Sequence, residues 1–317
     1  MRQSFAAGLL AGLSAVIVWG MQFPIAKDAF VLVDPFHVTL VRYLLAACVL
    51  TPFVLLREGI GVLSFGGKGL LAASMGAMGM SISPLMVFYG ISLAGAEHGS
   101  VIVALQPSVM ALVQWALTGK RPSRFTLICI GVAFLGVVLV VTRGGQGLQG
   151  STGAIAGSVL ILLGGLCWIY YNLGSERLKG WSVWRITLLT ILPGTACTMV
   201  VIAVLTTAGW LETPGVDAFR AAAPDLVFLS MLGVVYGMLA WNFGTRRIGP
   251  LNSMLLTNLM PVATFTYRAL QGACFTPIEI TGAAIVVAAL VANNLYLRRQ
   301  FLQETRTQVK PPPAHDN

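Results

Sequence analysis

Formal charges in this chain are separated by long gaps of similar length. No Asp, Glu, Lys or Arg falls between Arg2 and Lys27, Lys68 and Glu97, Glu97 and Lys120, Arg124 and Arg143, or Arg143 and Glu176. The same holds between Arg185 and Glu212, Asp225 and Arg246, Arg247 and Arg268, and Glu279 and Arg298. A helix needs about 20 predominantly apolar residues to cross the hydrocarbon core of a bilayer, and these nine stretches supply them. A tenth stretch, from about His37 to Leu56, is broken only by Arg42 near its start. With 56% hydrophobic and 10% charged residues, and a mean hydropathy of +0.82, one core under a polar shell cannot hide so much apolar surface.

The reading is therefore an all-α integral membrane protein. Ten transmembrane helices are expected at about residues 5–26, 36–56, 69–92, 98–118, 125–142, 152–174, 184–207, 225–245, 250–271 and 278–297. Residues 304–317, with Pro311, Pro312 and Pro313, read as a disordered cytoplasmic tail. The apolar stretch after Arg2 is too long for a signal peptide and lacks a small-residue exit before Lys27. Cys48, Cys129, Cys167, Cys197 and Cys274 form no CxxC and read as apolar filler, with no metal or cofactor implied.

Lys and Arg in short loops set orientation. With the N-terminus inside, fifteen basic residues face the cytoplasm and five (Lys27, Arg42, Arg143, Arg220 and Arg268) face away, so both termini are placed in the cytoplasm. The net charge of +9 is accounted for by orientation and calls for no nucleic-acid partner.

A repeat runs through the chain. Gly90, Gly95 and Pro107 recur as Gly244, Gly249 and Pro261, at a constant offset of 154, and Leu105 falls on Leu259. Gly8 and Gly12 before Trp19 are echoed by Gly153 and Gly157 before Trp168 at a shorter offset. Five helices per copy is odd, so the second copy enters the membrane from the opposite side. Such two inverted five-helix repeats can expose a central site to each side in turn.

Trp19-Gly20-Met21-Gln22-Phe23-Pro24, Arg42 early in helix two, Gln106-Pro107, Met260-Pro261 and the five-plus-five repeat resemble the drug/metabolite transporter superfamily, EamA type. The resemblance covers residues 5 to about 297 and divides the chain into a first EamA-like repeat, 1–149, and a second, inverted one, 150–303. It implies export or exchange of small metabolites, often amino acids, across a bacterial inner membrane. Many relatives carry Gly-Glu after helices four and nine; here the pairs are Gly119-Lys120 and Gly272-Ala273.

Polar side chains within apolar spans face protein or a water-filled path by default. Gln22, Ser83, Gln106 and Asn258 are thus candidates to bind substrate or, equally, to hydrogen-bond between helices; Gln106 and Asn258, one and three residues before the paired prolines, are nearly repeat-equivalent and lead the set. Trp19 and Trp168, with Phe23 and Tyr171 nearby, are either aromatic cavity walls or packing. Pro107 and Pro261 read as mid-helix kinks, in gates or in static bends. Gly8, Gly12, Gly153 and Gly157 read as helix-packing residues. Arg42 either attracts a carboxylate or snorkels to the interface and pairs with Asp34. No acid sits at the centre of a span, which counts against a multidrug cation exporter that trades protons for drug. His37, His98 and His315 lie at span ends, and no HExxH, P-loop or GxSxG occurs, so no enzyme is expected. The expected partners are a small neutral or zwitterionic solute and lipid, for a monomer or weak homodimer. The alternative class is a non-transport sensor or lipid-binding scaffold.

Overall fold

In the computed structural model, which describes residues 2–119, 121–142 and 152–308, every regular element is helical. Seven helices are long and apolar enough to cross a membrane. They are α1 (Phe5–Ala29, within Arg2–Ala29), α2 (Pro35–Glu58), α3 (Gly69–Ala94), α4 (Ala96–Thr118), α6 (Thr152–Leu178), α7 (Val183–Thr207) and α8 (Ala223–Ile248). Between them lies α5 (Arg124–Thr142). After them α9 runs as Pro250–Leu256, a 3-10 turn Thr257–Leu259, and Met260–Leu270, and α10 spans Pro277–Gln308. Apolar side chains such as Leu10, Leu56, Leu70, Leu117 and Leu135 stand exposed all around the bundle. A water-soluble surface does not carry apolar area on this scale.

Small residues set the spacing of the helices. A Cβ on Gly90 would lie 2.6 Å from the carbonyl oxygen of Gly157, and one on Gly157 2.5 Å from that of Gly90, so α3 and α6 touch backbone to backbone. A Cβ on Gly244 would meet the Gly8 carbonyl oxygen at 2.9 Å, and α1 and α8 approach in the same way. Gly8, Gly12 and Gly157 are thus packing residues, whereas Gly153 faces open space. The other large contacts are α5 with α10, α3 with α7, α1 with α9 and α2 with α7.

Departures from regular helix recur at the 154-residue offset. Gly95 ends α3 at φ 102°, ψ 158°, and Gly249 ends α8 at φ 83°, ψ 155°, a left-handed φ that only glycine adopts without strain. Each is followed at once by the next helix. A π-helical stretch occupies Gly76–Ile82 of α3 and another Phe228–Tyr236 of α8; π turns are rare and concentrate at functional sites.

Several expectations need correction. The segment expected as one helix over 250–271 is interrupted at Thr257–Leu259, and α4 is likewise broken between Val103 and Gln106. Pro107 and Pro261 therefore do not bend continuous helices. Each lies in the first turn of a restarting segment, where the missing N–H has no helical partner to lose. His37 and His98 lie at span ends but are buried. The last helix continues past Glu304 to Gln308. Lys120, Arg143 and the tail from 309 to 317, used above for orientation and disorder, lie outside the described residues.

Candidate functional site

A cavity lies among α1, α2, α3, α4, α6, α8 and α9, with about 610 Å³ of space free of protein atoms when its open mouth is included. Six of the eight residues expected to bind substrate line it: Trp19, Gln22, Phe23, Ser83, Gln106 and Trp168. Arg42 lines it as well. Tyr171 is fully buried one layer behind, stacked on Trp168 with ring centroids 5.1 Å apart and planes 15° from parallel. Asn258 is buried outside the lining, in the 3-10 turn of α9, and neither atom of its amide has a hydrogen-bond partner. Pro107 and Pro261 lie beside lining residues, Gln106 and Met260, without lining the cavity themselves.

The lining follows the repeat more closely than the sequence reading did. The 154-residue offset carries Gly79 to Gly233, Pro84 to Met238 and Gln106 to Met260, and all six line the cavity. Gln106 is therefore matched by Met260, not by Asn258. Tyr43, Val87, Phe88, Val103 and Val234 complete the wall. As apolar or aromatic residues within apolar spans they carry no sequence signal of their own, whereas Gly79 and Gly233 could have been found by extending the glycine repeat.

The aromatic wall is anchored. Trp19 donates its indole N–H to the Gly233 carbonyl at 2.8 Å, which fixes the ring across the π-helical stretch of α8. Trp168 meets Trp19 edge-on, with centroids 5.5 Å apart and planes at 86°. Trp241 lies behind both, 5.1 Å from Trp19 and 6.1 Å from Trp168. Such contacts contribute roughly 0.5–1.5 kcal/mol each beyond burial.

Two polar groups of residues flank this wall. Toward the connection between α6 and α7, the Tyr171 hydroxyl donates to Asn242 Oδ1 at 3.2 Å, and Asn242 Nδ2 donates to Thr187 Oγ1 at 2.8 Å. Trp241 Nε1 donates to Asn172 Oδ1 at 3.0 Å, and Asn172 Nδ2 to the Trp168 carbonyl at 2.9 Å. At the same end the loops are tied. Ser182 donates to Glu58 at 2.6 Å, Lys68 to the Arg177 carbonyl at 2.8 Å, and Arg185 to the Ser64 carbonyl.

On the opposite flank is Arg42, 4% exposed. It neither reaches an interface nor pairs with Asp34, contrary to one of the two expectations. Asp34 caps α2, accepting from the backbone N–H groups of Phe36 and His37 and pairing with His37 Nδ1 at 2.6 Å. The cysteines are all free, and among the described residues no cluster of His, Cys, Asp and Glu could hold a metal.

A helical membrane protein with a mainly apolar cavity that carries a few polar groups and is lined by both halves of the chain has the form of a solute carrier. The EamA-like transporter family matches residues 6–142 and again 155–295, and the chain belongs to that family. It is 32% identical over 310 residues to an uncharacterized transporter, YrdR, of Bacillus subtilis, covering 95% of this chain and 97% of that one. It is 25% identical to a probable amino-acid metabolite efflux pump of Salmonella typhimurium, over 90% of this chain and 94% of that protein. A solved crystal structure, 18% identical, shares the fold with a TM-score of 0.69 over 93% of this chain and 99% of that one.

Proposed function

We propose that the protein carries small solutes, foremost amino acids and related zwitterionic or neutral compounds, across a bacterial inner membrane by export or facilitated exchange. In this reading ten helices form two inverted five-helix repeats, residues 1–149 and 150–303. Both termini are cytoplasmic, and the central cavity opens alternately to each side. The observation that carries the reading is the cavity itself. Its lining is drawn from both halves at offset-related positions, Gly79 with Gly233 and Gln106 with Met260, as a site between two interchangeable repeats requires. The paired π-helical stretches, the paired glycine breaks and the double family match support the same division. The solute class is supported by the aromatic wall and by the name of the Salmonella relative.

In this orientation the Tyr171–Asn242–Thr187 cluster and the tied loops at Glu58, Lys68 and Arg177 close the cytoplasmic end. The test is flux from proteoliposomes loaded with a mixture of labelled amino acids. Efflux faster than from protein-free liposomes, slowed by Trp168→Ala and by Gln106→Ala, is expected. Unchanged flux in both variants would remove the cavity from the pathway.

A further inference from the structure

Arg42 is a buried cation, and no acid among the described residues forms an ion pair with it. Its Nη1 lies 3.4 Å from Gln22 Oε1 and its Nη2 3.5 Å from the Tyr43 hydroxyl, both at the long limit of hydrogen bonding. Its Nε has no partner. The guanidinium carbon lies 4.0 Å from the centre of the Phe88 ring and 4.8 Å from that of Tyr43, so aromatic faces hold the fork in place. The nearest acid in sequence, Asp34, is engaged in capping α2. Glu97, the acid closest to the start of α4, is paired with Arg268 at 3.0 Å. Among the described residues the cavity lining contains one formal charge, and it is positive. A buried charge that the protein leaves unpaired is costly, and here the planar donor fork lines the cavity.

The second unpartnered group in the lining is Gln106 Oε1, on a side chain 7% exposed. It is neutral and can accept an N–H or O–H, but it cannot neutralise an ammonium. An ammonium in this cavity would also lie in the field of Arg42 with no carboxylate to offset it.

We infer that Arg42 is the carboxylate-binding residue of the cavity. The site selects solutes by a single carboxylate, and the amino group of an amino acid adds little to binding. The inference rests on the reading of this cavity as a transporter's solute site. A guanidinium matches a carboxylate with two parallel N–H···O bonds, and a monoanion neutralises the single positive charge. Cationic amines are excluded by the same charge. Monocarboxylates with an apolar body against Trp19 and Trp168 fit best, zwitterions next, and amides and amines least.

The experiment uses the full-length protein in detergent, with tryptophan fluorescence and thermal stability as binding readouts. Two matched sets serve as probes: 4-methylpentanoate, leucine, leucinamide and isopentylamine; and 3-phenylpropanoate, phenylalanine, phenylalaninamide and phenethylamine. The carboxylates are expected to bind at least as tightly as the amino acids, and the amides and amines at least about tenfold more weakly. Arg42→Gln is expected to erase that discrimination, Arg42→Lys to keep part of it, and Arg247→Gln, outside the lining, to leave it intact. If Arg42→Gln does not fold, the ranking on the native protein decides.

Binding of an amide or amine as tight as that of its carboxylate overturns the inference, as does failure of every carboxylate in both sets to bind. Transport is scored separately. Flux of a solute without a carboxylate would leave the transporter standing and remove this role of Arg42. The predicted ranking without any flux would do the reverse.

Discussion

The two polar groups beside the aromatic wall make opposite use of related positions. Gln22 follows Trp19 by three residues, as Tyr171 follows Trp168, and Phe88 corresponds to Asn242 at the 154-residue offset. In the second half, Tyr171 and Asn242 belong to a cluster in which the amides of Asn172 and Asn242 use both their oxygens and their nitrogens. In the first half, Gln22 meets Arg42 only at 3.4 Å, Phe88 offers a ring face, and the Arg42 Nε and the Gln106 oxygen are left without partners. A satisfied buried network rigidifies, while an unsatisfied one is costly until something fills it. In the proposed reading the satisfied network of the second half is the seal, and the unsatisfied groups of the first half face the cavity that both halves line.

Glycines at equivalent positions separate the two walls most sharply. A Cβ on Gly79 would lie 2.6 Å from Tyr171 Cβ, whereas one on Gly233 would lie 2.9 Å from the mobile end of Gln22. Gly79→Val is expected to destabilise the protein by roughly 1–3 kcal/mol or more through overpacking against the seal, read as a fall in folded yield and melting temperature in detergent. Asn242→Ala should cost about 1–3 kcal/mol by stranding the Tyr171 hydroxyl in a buried site. Because it breaks the seal, it should also raise labelling of a cysteine placed in the cavity from the side of the 176–182 connection.

Gly233→Ala is expected to cost under about 1 kcal/mol, since only a flexible side-chain end must move, yet to change solute affinity by displacing Gln22 from Arg42. If it melts as early as Gly79→Val, the contrast between the walls is lost. The smallest effect is at Gly153, where an alanine meets nothing within 4 Å. Its melting temperature should match that of the native protein, within the roughly 0.5 kcal/mol typical of such sites.

Much of this was legible in the charges and glycines. Gaps of bilayer length placed the helices, because a charge in hydrocarbon is too costly to sit where it has no role. Gly95 and Gly249 were legible as members of the repeat, and the structure shows why they recur: each ends a helix at a left-handed φ that leaves few alternatives to glycine. The direction of Arg42 was left open, although Asp34-Pro35 was already a helix-start signal that committed the acid to capping. Asn258 was misassigned as the partner of Gln106 because polarity was weighed above register; the offset itself leads to Met260. The seal was not visible at all. Asn172, Asn242 and Trp241 are ordinary residues of apolar helices, and only tertiary packing decides which amide meets which ring.

The account stands on solute passing through this cavity. Proteoliposomes loaded with labelled amino acids and the carboxylates named above test that directly, with the native protein beside Trp168→Ala. The account predicts efflux from the native protein well above that of protein-free liposomes, and a marked loss when the aromatic wall is opened by the alanine. Efflux no faster than from protein-free liposomes for every solute tried would contradict it.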